Sequence, residues 1–139
     1  MKYLYYIGID TGKNTGFALW DSQEREFRTV ETMAIHQAIL QIAALSEDEL
    51  AQTFIRVEDA RKRRWFGNSG REQLQGAGSI KRDAVIWEDF LTDIGANFEM
   101  VAPKNNYTKL TAEIFQRLTG WEQKCSFHAR DSAMLVFGM

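Results

Sequence analysis

The stretch from Tyr3 to Asp21 constrains this chain most. An apolar run, Tyr3 to Ile9, ends on Asp10, turns through Thr11, Gly12, Lys13, Asn14, Thr15 and Gly16, and resumes as Phe17 to Trp20. A continuous apolar run bounded by turn residues predicts a strand buried on both faces, and the short Gly/Asn connection predicts a hairpin. Asp10 then stands at the end of a central strand, where a carboxylate has no packing value. Ionised and isolated there, it is strongly destabilising unless a cation or hydrogen-bond donors meet it. What Asp10 binds is therefore the first question.

The remaining chain predicts partners for that strand. Glu26 to Thr32 reads as a third, peripheral strand of a meander, and Ile35, Ile39, Ile42 and Leu45 recur at helical spacing, predicting a helix over 33–45. Glu47, Asp48 and Glu49 read as a solvated loop. Thr53 to Val57 is a second compact apolar run, ending on Glu58 and Asp59. Arriving after a helical crossover, it pairs parallel to the first strand and delivers Glu58 to the same sheet edge as Asp10. By itself Glu58 reads equally well as a polar strand end.

A chain of 139 residues with 45% hydrophobic content predicts one domain, spanning 1–139, with a sizeable core. The net charge of -2 argues against nucleic acid, but net charge hides distribution. Of 17 basic and 19 acidic residues, seven basic and one acidic fall between Arg61 and Arg82. Within that segment Arg61, Lys62, Arg63 and Arg64 run directly into Trp65, Phe66 and Gly67, the composition of an exposed loop. Basic side chains neutralise phosphates, and adjacent aromatics stack on unpaired bases or wedge between base steps. The plainer alternative folds Trp65 and Phe66 onto the core. Lys81 extends the same basic segment. The single cysteine, Cys125, makes no internal disulfide, no apolar run approaches the roughly 20 residues that span a bilayer, and no secretory signal is visible. The expectation is a soluble cytoplasmic protein without a membrane partner.

Ile80, Ala84, Trp87, Leu91 and Ile94 predict the longest helix, Gln73 to Ile94, with Gly95 as its stop. Gly76, Ala77 and Gly78 either admit a close approach or mark a later start. Phe98 to Val101 reads as a last parallel strand, which puts Lys104 at the edge that carries the two carboxylates. Thr108 is expected to cap a helix bearing Leu110, Ile114 and Leu118 and ended by Gly120. Lys109, near its start, opposes the helix dipole unless it serves a phosphate. Trp121 to Phe127 carries no readable pattern. His128 to Phe137 predicts a final helix on which His128 and Asp131 stand one turn apart, able to ligate one divalent cation or to relay a proton beside it.

Taken in order, Ile7-Gly8-Ile9-Asp10-Thr11-Gly12 with Thr15-Gly16, Ile55-Arg56-Val57-Glu58, Gly76-Ala77-Gly78, Pro103-Lys104 followed by Lys109, and His128-Ala129-Arg130-Asp131-Ser132-Ala133 resemble the RuvC-type Holliday-junction resolvases of the ribonuclease H-like superfamily. The resemblance implies an α/β fold with a five-stranded mixed sheet, antiparallel meander plus parallel strands, flanked by helices. It implies a metal-dependent endonuclease that nicks branched DNA as a homodimer with two magnesium ions, which manganese can replace. Asp10, Glu58 and Asp131 would be metal ligands, His128 would fill the place where some members have another aspartate, and Lys104 and Lys109 would meet DNA phosphates. Three competing readings remain: a YqgF-type RNA-processing nuclease, a non-catalytic nucleic-acid-binding protein of the same fold, and an actin-like or sugar-kinase phosphate loop, which needs a second lobe that 139 residues do not provide.

Overall fold

The computed structural model describes residues 2–62, 71–103 and 110–139, with backbone only for 71–77 and 80. Five strands form one sheet in the order β3-β2-β1-β4-β5. The strands β1 (Tyr5–Asp10), β2 (Asn14–Asp21) and β3 (Glu26–Ala34) make the antiparallel meander. After α1 (Ile35–Ala43) and α2 (Glu47–Ala51) the chain returns as β4 (Thr53–Glu58), parallel to β1. A single 3-10 turn, Ala60–Lys62, leads toward α3 (Arg71–Asp93), and β5 (Asn97–Val101) then pairs parallel to β4. The helices α4 (Ala112–Thr119) and α5 (Phe127–Met134) complete the chain. No helix among the described residues is long and apolar enough to cross a membrane.

Alternation along the central strands separates two cores. Ile7 and Ile9 of β1, Phe17 of β2 and Ile55 and Val57 of β4 face α1 and α3, where they meet Ala38, Ile42, Trp87 and Leu91. Tyr6 of β1 and Ala18 and Trp20 of β2 face α5 and α4, meeting Ala129, Ala133, Val136 and Phe115. Because side chains alternate with period two, Gly8 and Asp10 share the Tyr6 face, and Arg56 and Glu58 share the corresponding face of β4.

Glycine decides how closely α5 approaches. A Cβ at Gly8 would overlap the Ser132 carbonyl, and one at Gly16 the His128 carbonyl. With hydrogen in both places, the helix backbone lies directly on β1 and β2. Ser126 caps α5 by accepting from the Ala129 N–H (3.3 Å), and its hydroxyl also pairs with the Thr32 hydroxyl of β3.

The structure departs from the sequence expectations at four places. Glu47 to Glu49 are helical: Ser46 accepts from the Glu49 N–H (3.1 Å) while the Glu49 carboxylate accepts from the Ser46 N–H (2.9 Å), a reciprocal cap that nucleates α2. Met33 and Ala34 extend β3 before α1 begins. The long helix starts at Arg71 and runs through Gly76 to Gly78, so those small residues mark no later start. Finally, α4 is capped by Thr111, and it turns Phe115 inward while Ile114 and Leu118 are each 48% exposed. The stops at Gly95 and Gly120 are as expected, both with positive φ (70° and 78°).

Candidate active site

The site is built where β1 and β4 end. Asp10 is the last residue of β1 and Glu58 the last of β4, and the register pairs Ile9 with Val57 immediately before them. Parallel neighbours in register deliver the two carboxylates side by side at one sheet edge, on the face that α5 covers. There α5 contributes His128 and Asp131. His128 Nδ1 lies 3.2 Å from Asp10 Oδ2, with the Asp10 side chain 12% exposed. Asp10, left at a buried strand end by the sequence, therefore meets an imidazole supplied from 118 residues away. Glu58 and Asp131 both line a cavity of about 210 Å³ between β4, the end of β5 and α5, with Val101, Ala102, Pro103, Leu110, Met134 and Leu135 as its apolar walls.

Three arginines fix the surroundings. Arg56, one side-chain step before Glu58, donates to the Leu135 carbonyl (2.6 Å) and to Glu99 (2.7 Å), tying the C-terminal end of α5 to β4. Arg130, between the two α5 site residues, donates to the Leu110 carbonyl (2.9 Å) and the Cys125 carbonyl (2.6 Å), holding the segments before α4 and α5. Arg61 forks onto Asp59 through two 2.8 Å bonds and reaches Glu88 of α3 at 3.2 Å. Asp59 is 1% exposed, and the Arg61 guanidinium holds its carboxyl below the usual carboxylate value. On the turn side, the Thr11 hydroxyl donates to the Glu58 carbonyl (3.2 Å), linking the β1–β2 turn to the end of β4.

The structure thus brings Asp10 and His128 into contact and sets Glu58 and Asp131 around one cavity. Among the described residues no three His, Cys, Asp or Glu side chains are grouped so as to hold one metal ion. The chemistry of the donors nonetheless fits a hard divalent cation: three carboxylates and one imidazole offer oxygen and nitrogen, and no thiolate. Of the basic and aromatic residues expected at nucleic acid, Lys81 is exposed on α3 and Lys62 donates to the Met100 carbonyl (2.8 Å), while Arg61 is engaged as above. Arg63, Arg64, Trp65, Phe66, Lys104 and Lys109 lie outside the described residues, as does Thr108.

Sequence reasoning gave no role to Asp59, Arg56 or Arg130. The signal for Asp59 was present: a carboxylate on the opposite side-chain parity from Glu58, followed two residues later by an arginine, is suited to a local fork. Nothing local announces that Arg56 and Arg130 bind carbonyls, because their acceptors come from other elements.

No protein-family model matches the sequence, and no curated protein is significantly similar to it. The fold, however, matches a solved structure, "T. thermophilus RuvC in complex with Holliday junction substrate", over 92% of this chain and 87% of that one, with a TM-score of 0.56 at 15% identity. At that identity the likeness speaks for architecture alone. The chain has the α/β, ribonuclease H-like fold, a five-stranded mixed sheet flanked by helices.

Proposed function

We propose that this protein is a metal-dependent endonuclease that hydrolyses phosphodiester bonds of branched DNA. The observation that carries the reading is the parity of the two central strands. It directs Asp10 and Glu58 to the face that receives His128 and Asp131, so that four donors drawn from three elements border one sheet edge. Structural economy does not require such a gathering, since carboxylates add nothing to packing at strand ends. A fold shared with a protein described in complex with a Holliday junction makes four-way DNA the first substrate to test.

In this reading Asp10, Glu58 and Asp131 would hold magnesium once drawn together around it, with manganese as a substitute and His128 beside them. Divalent cations held there would supply activation of water and stabilisation of the leaving oxygen at phosphorus. The protein's own residues do the positioning. His128 holds the Asp10 carboxylate at the strand end, and Arg56 and Arg130 fix α5 so that Asp131 stays on the cavity it lines with Glu58. The basic segment Arg61 to Arg64, Lys81, Lys104 and Lys109 would neutralise phosphates, with Trp65 and Phe66 against unpaired bases.

The test is incubation with a synthetic four-way junction and magnesium, beside linear duplex and structured RNA, with nicks read on denaturing gels. The expected result is paired nicks in the junction and none in the duplex. Asp10→Asn and Glu58→Gln should each reduce cleavage beyond the roughly 10–100-fold that loss of an outer partner of a metal site costs, with binding kept. Cleavage of the RNA instead would indicate a YqgF-type activity. Junction binding without cleavage in either metal would indicate a non-catalytic binding protein.

A further inference from the structure

The turn between β1 and β2 is braced from several sides. The β1–β2 ladder ends at the pair Asp10–Gly16, yet β2 already begins at Asn14, where Asn14 and Thr15 pair with Ala34 and Met33 of β3. The Thr15 hydroxyl donates to the Gly12 carbonyl (2.9 Å), closing the turn on itself. On its other side the Thr11 hydroxyl donates to the Glu58 carbonyl (3.2 Å), which ties the turn to β4. Ordering a segment costs about 1–2 kcal/mol per residue in backbone entropy. This one, from Thr11 to Thr15, adds no side chain to either hydrophobic core.

Lys13 stands in this turn, exposed, three residues beyond Asp10. Among the described residues it makes no hydrogen bond and no ion pair. The neighbouring cations are already committed to the protein. Arg56 is spent on the Leu135 carbonyl and Glu99, Arg130 on the Leu110 and Cys125 carbonyls, Lys62 on the Met100 carbonyl, and Arg61 on Asp59 and Glu88. The bracing therefore holds at the carboxylate edge a cation that the fold itself does not use.

We propose that Lys13 is a phosphate-binding residue of this site, its ammonium meeting a non-bridging oxygen of the nucleic-acid phosphodiester that approaches the Asp10–Glu58 edge. The proposal rests on the nuclease reading for the identity of that ligand. An edge carrying three carboxylates repels a phosphodiester, so a cation not paired with those carboxylates adds attraction where it is needed. A lysine ammonium is a compact point charge on a flexible stem, and the fixed turn keeps the root of that stem at the edge.

The experiment follows binding of a labelled four-way junction by fluorescence anisotropy over a range of salt, in magnesium, with nicking read on the same samples. Lys13→Ala should weaken binding and reduce the slope of log K against log salt by about 1, the signature of one lost phosphate contact. Lys13→Arg, which keeps the charge, should retain the slope. Lys2→Ala, an exposed lysine ahead of β1 at the far end of that strand from Asp10, should also leave it unchanged. Lys13 has no contact to lose, so the melting temperature of Lys13→Ala should match that of the wild type. An unchanged slope in Lys13→Ala would overturn the proposal, and an accompanying shift in melting temperature would assign Lys13 to neutralising the site's own carboxylates. Equal losses in Lys13→Ala and Lys2→Ala would overturn it as well, since the effect would then belong to net charge. A wild type that binds the junction without nicking it removes the nuclease reading and leaves the slope result standing. A wild type that binds no junction overturns both.

Discussion

Glu58 and Asp59 are adjacent carboxylates with different tasks, separated by the half-turn of the strand. Glu58 borders the cavity beside Asp131, whereas Asp59 is buried on the other side and clamped by Arg61, which also reaches Glu88. Asp59→Asn removes the charge from a forked pair and should destabilise the fold by about 1.5–3 kcal/mol at neutral pH, the range for hydrogen bonds to charged groups; urea unfolding measures it. Asp21 is comparable: it accepts from the Gln23 and Glu24 N–H groups (3.0 and 2.9 Å) and from Arg28, and its carboxyl is held low chiefly by the Glu24 N–H. Both folded-state values lie below the unfolded one. Their contribution is therefore complete above about pH 4 and is lost as pH falls through the folded-state values. The Asp59→Asn difference should accordingly shrink between about pH 7 and pH 3, and an equal loss at both ends would show that the charge is not responsible.

At the scale of elements, the seating of α5 governs the site. Gly8→Ala or Gly16→Ala should cost about 1–3 kcal/mol or more, since a methyl group there collides with backbone carbonyls that cannot rotate away. The same substitutions lift His128 and Asp131 from the sheet edge, so cleavage should fall further than the stability loss explains, which unfolding and nicking assays on the same samples compare. The cap of α2 is a simpler case. Ser46→Ala removes the acceptor for the Glu49 N–H and should destabilise by about 1 kcal/mol. An unchanged melting temperature would mean that α2 forms without it. The signature Ser46-x-x-Glu49 was visible in the sequence, but three consecutive acidic residues pointed to a solvated loop instead. In α4, Ile114 and Leu118 are apolar four residues apart and suggested a core face. Phe115 takes that place because its ring meets Phe27, at 6.2 Å between centroids.

For the whole molecule, charge distribution matters more than the net value of -2. Arg61 is already paired with Asp59 and Glu88, so removing it should lower stability as well as any affinity for DNA. Arg63→Ala and Arg64→Ala separate the two effects. Each should weaken junction binding and reduce the slope of log K against log salt by about 1 if the side chain meets a phosphate. An unchanged slope would exclude these side chains from the DNA path.

By itself the sequence determined the strands, the meander of the first three and the parallel direction of the last two. Buried strands, crossover helices and glycine stops are local patterns, and a strand that follows a helical crossover is expected parallel to the first, as Thr53 to Glu58 is to Tyr5 to Asp10. It also determined that Asp10 needed a partner, because an ionised carboxylate at a buried strand end cannot stand alone. Which partner, only the tertiary structure decided: His128 reaches Asp10 because two glycines on adjacent strands let the last helix rest on the sheet. The arginine anchors were decided there too, since a guanidinium and the carbonyl it binds belong to different elements and leave no joint trace in local periodicity.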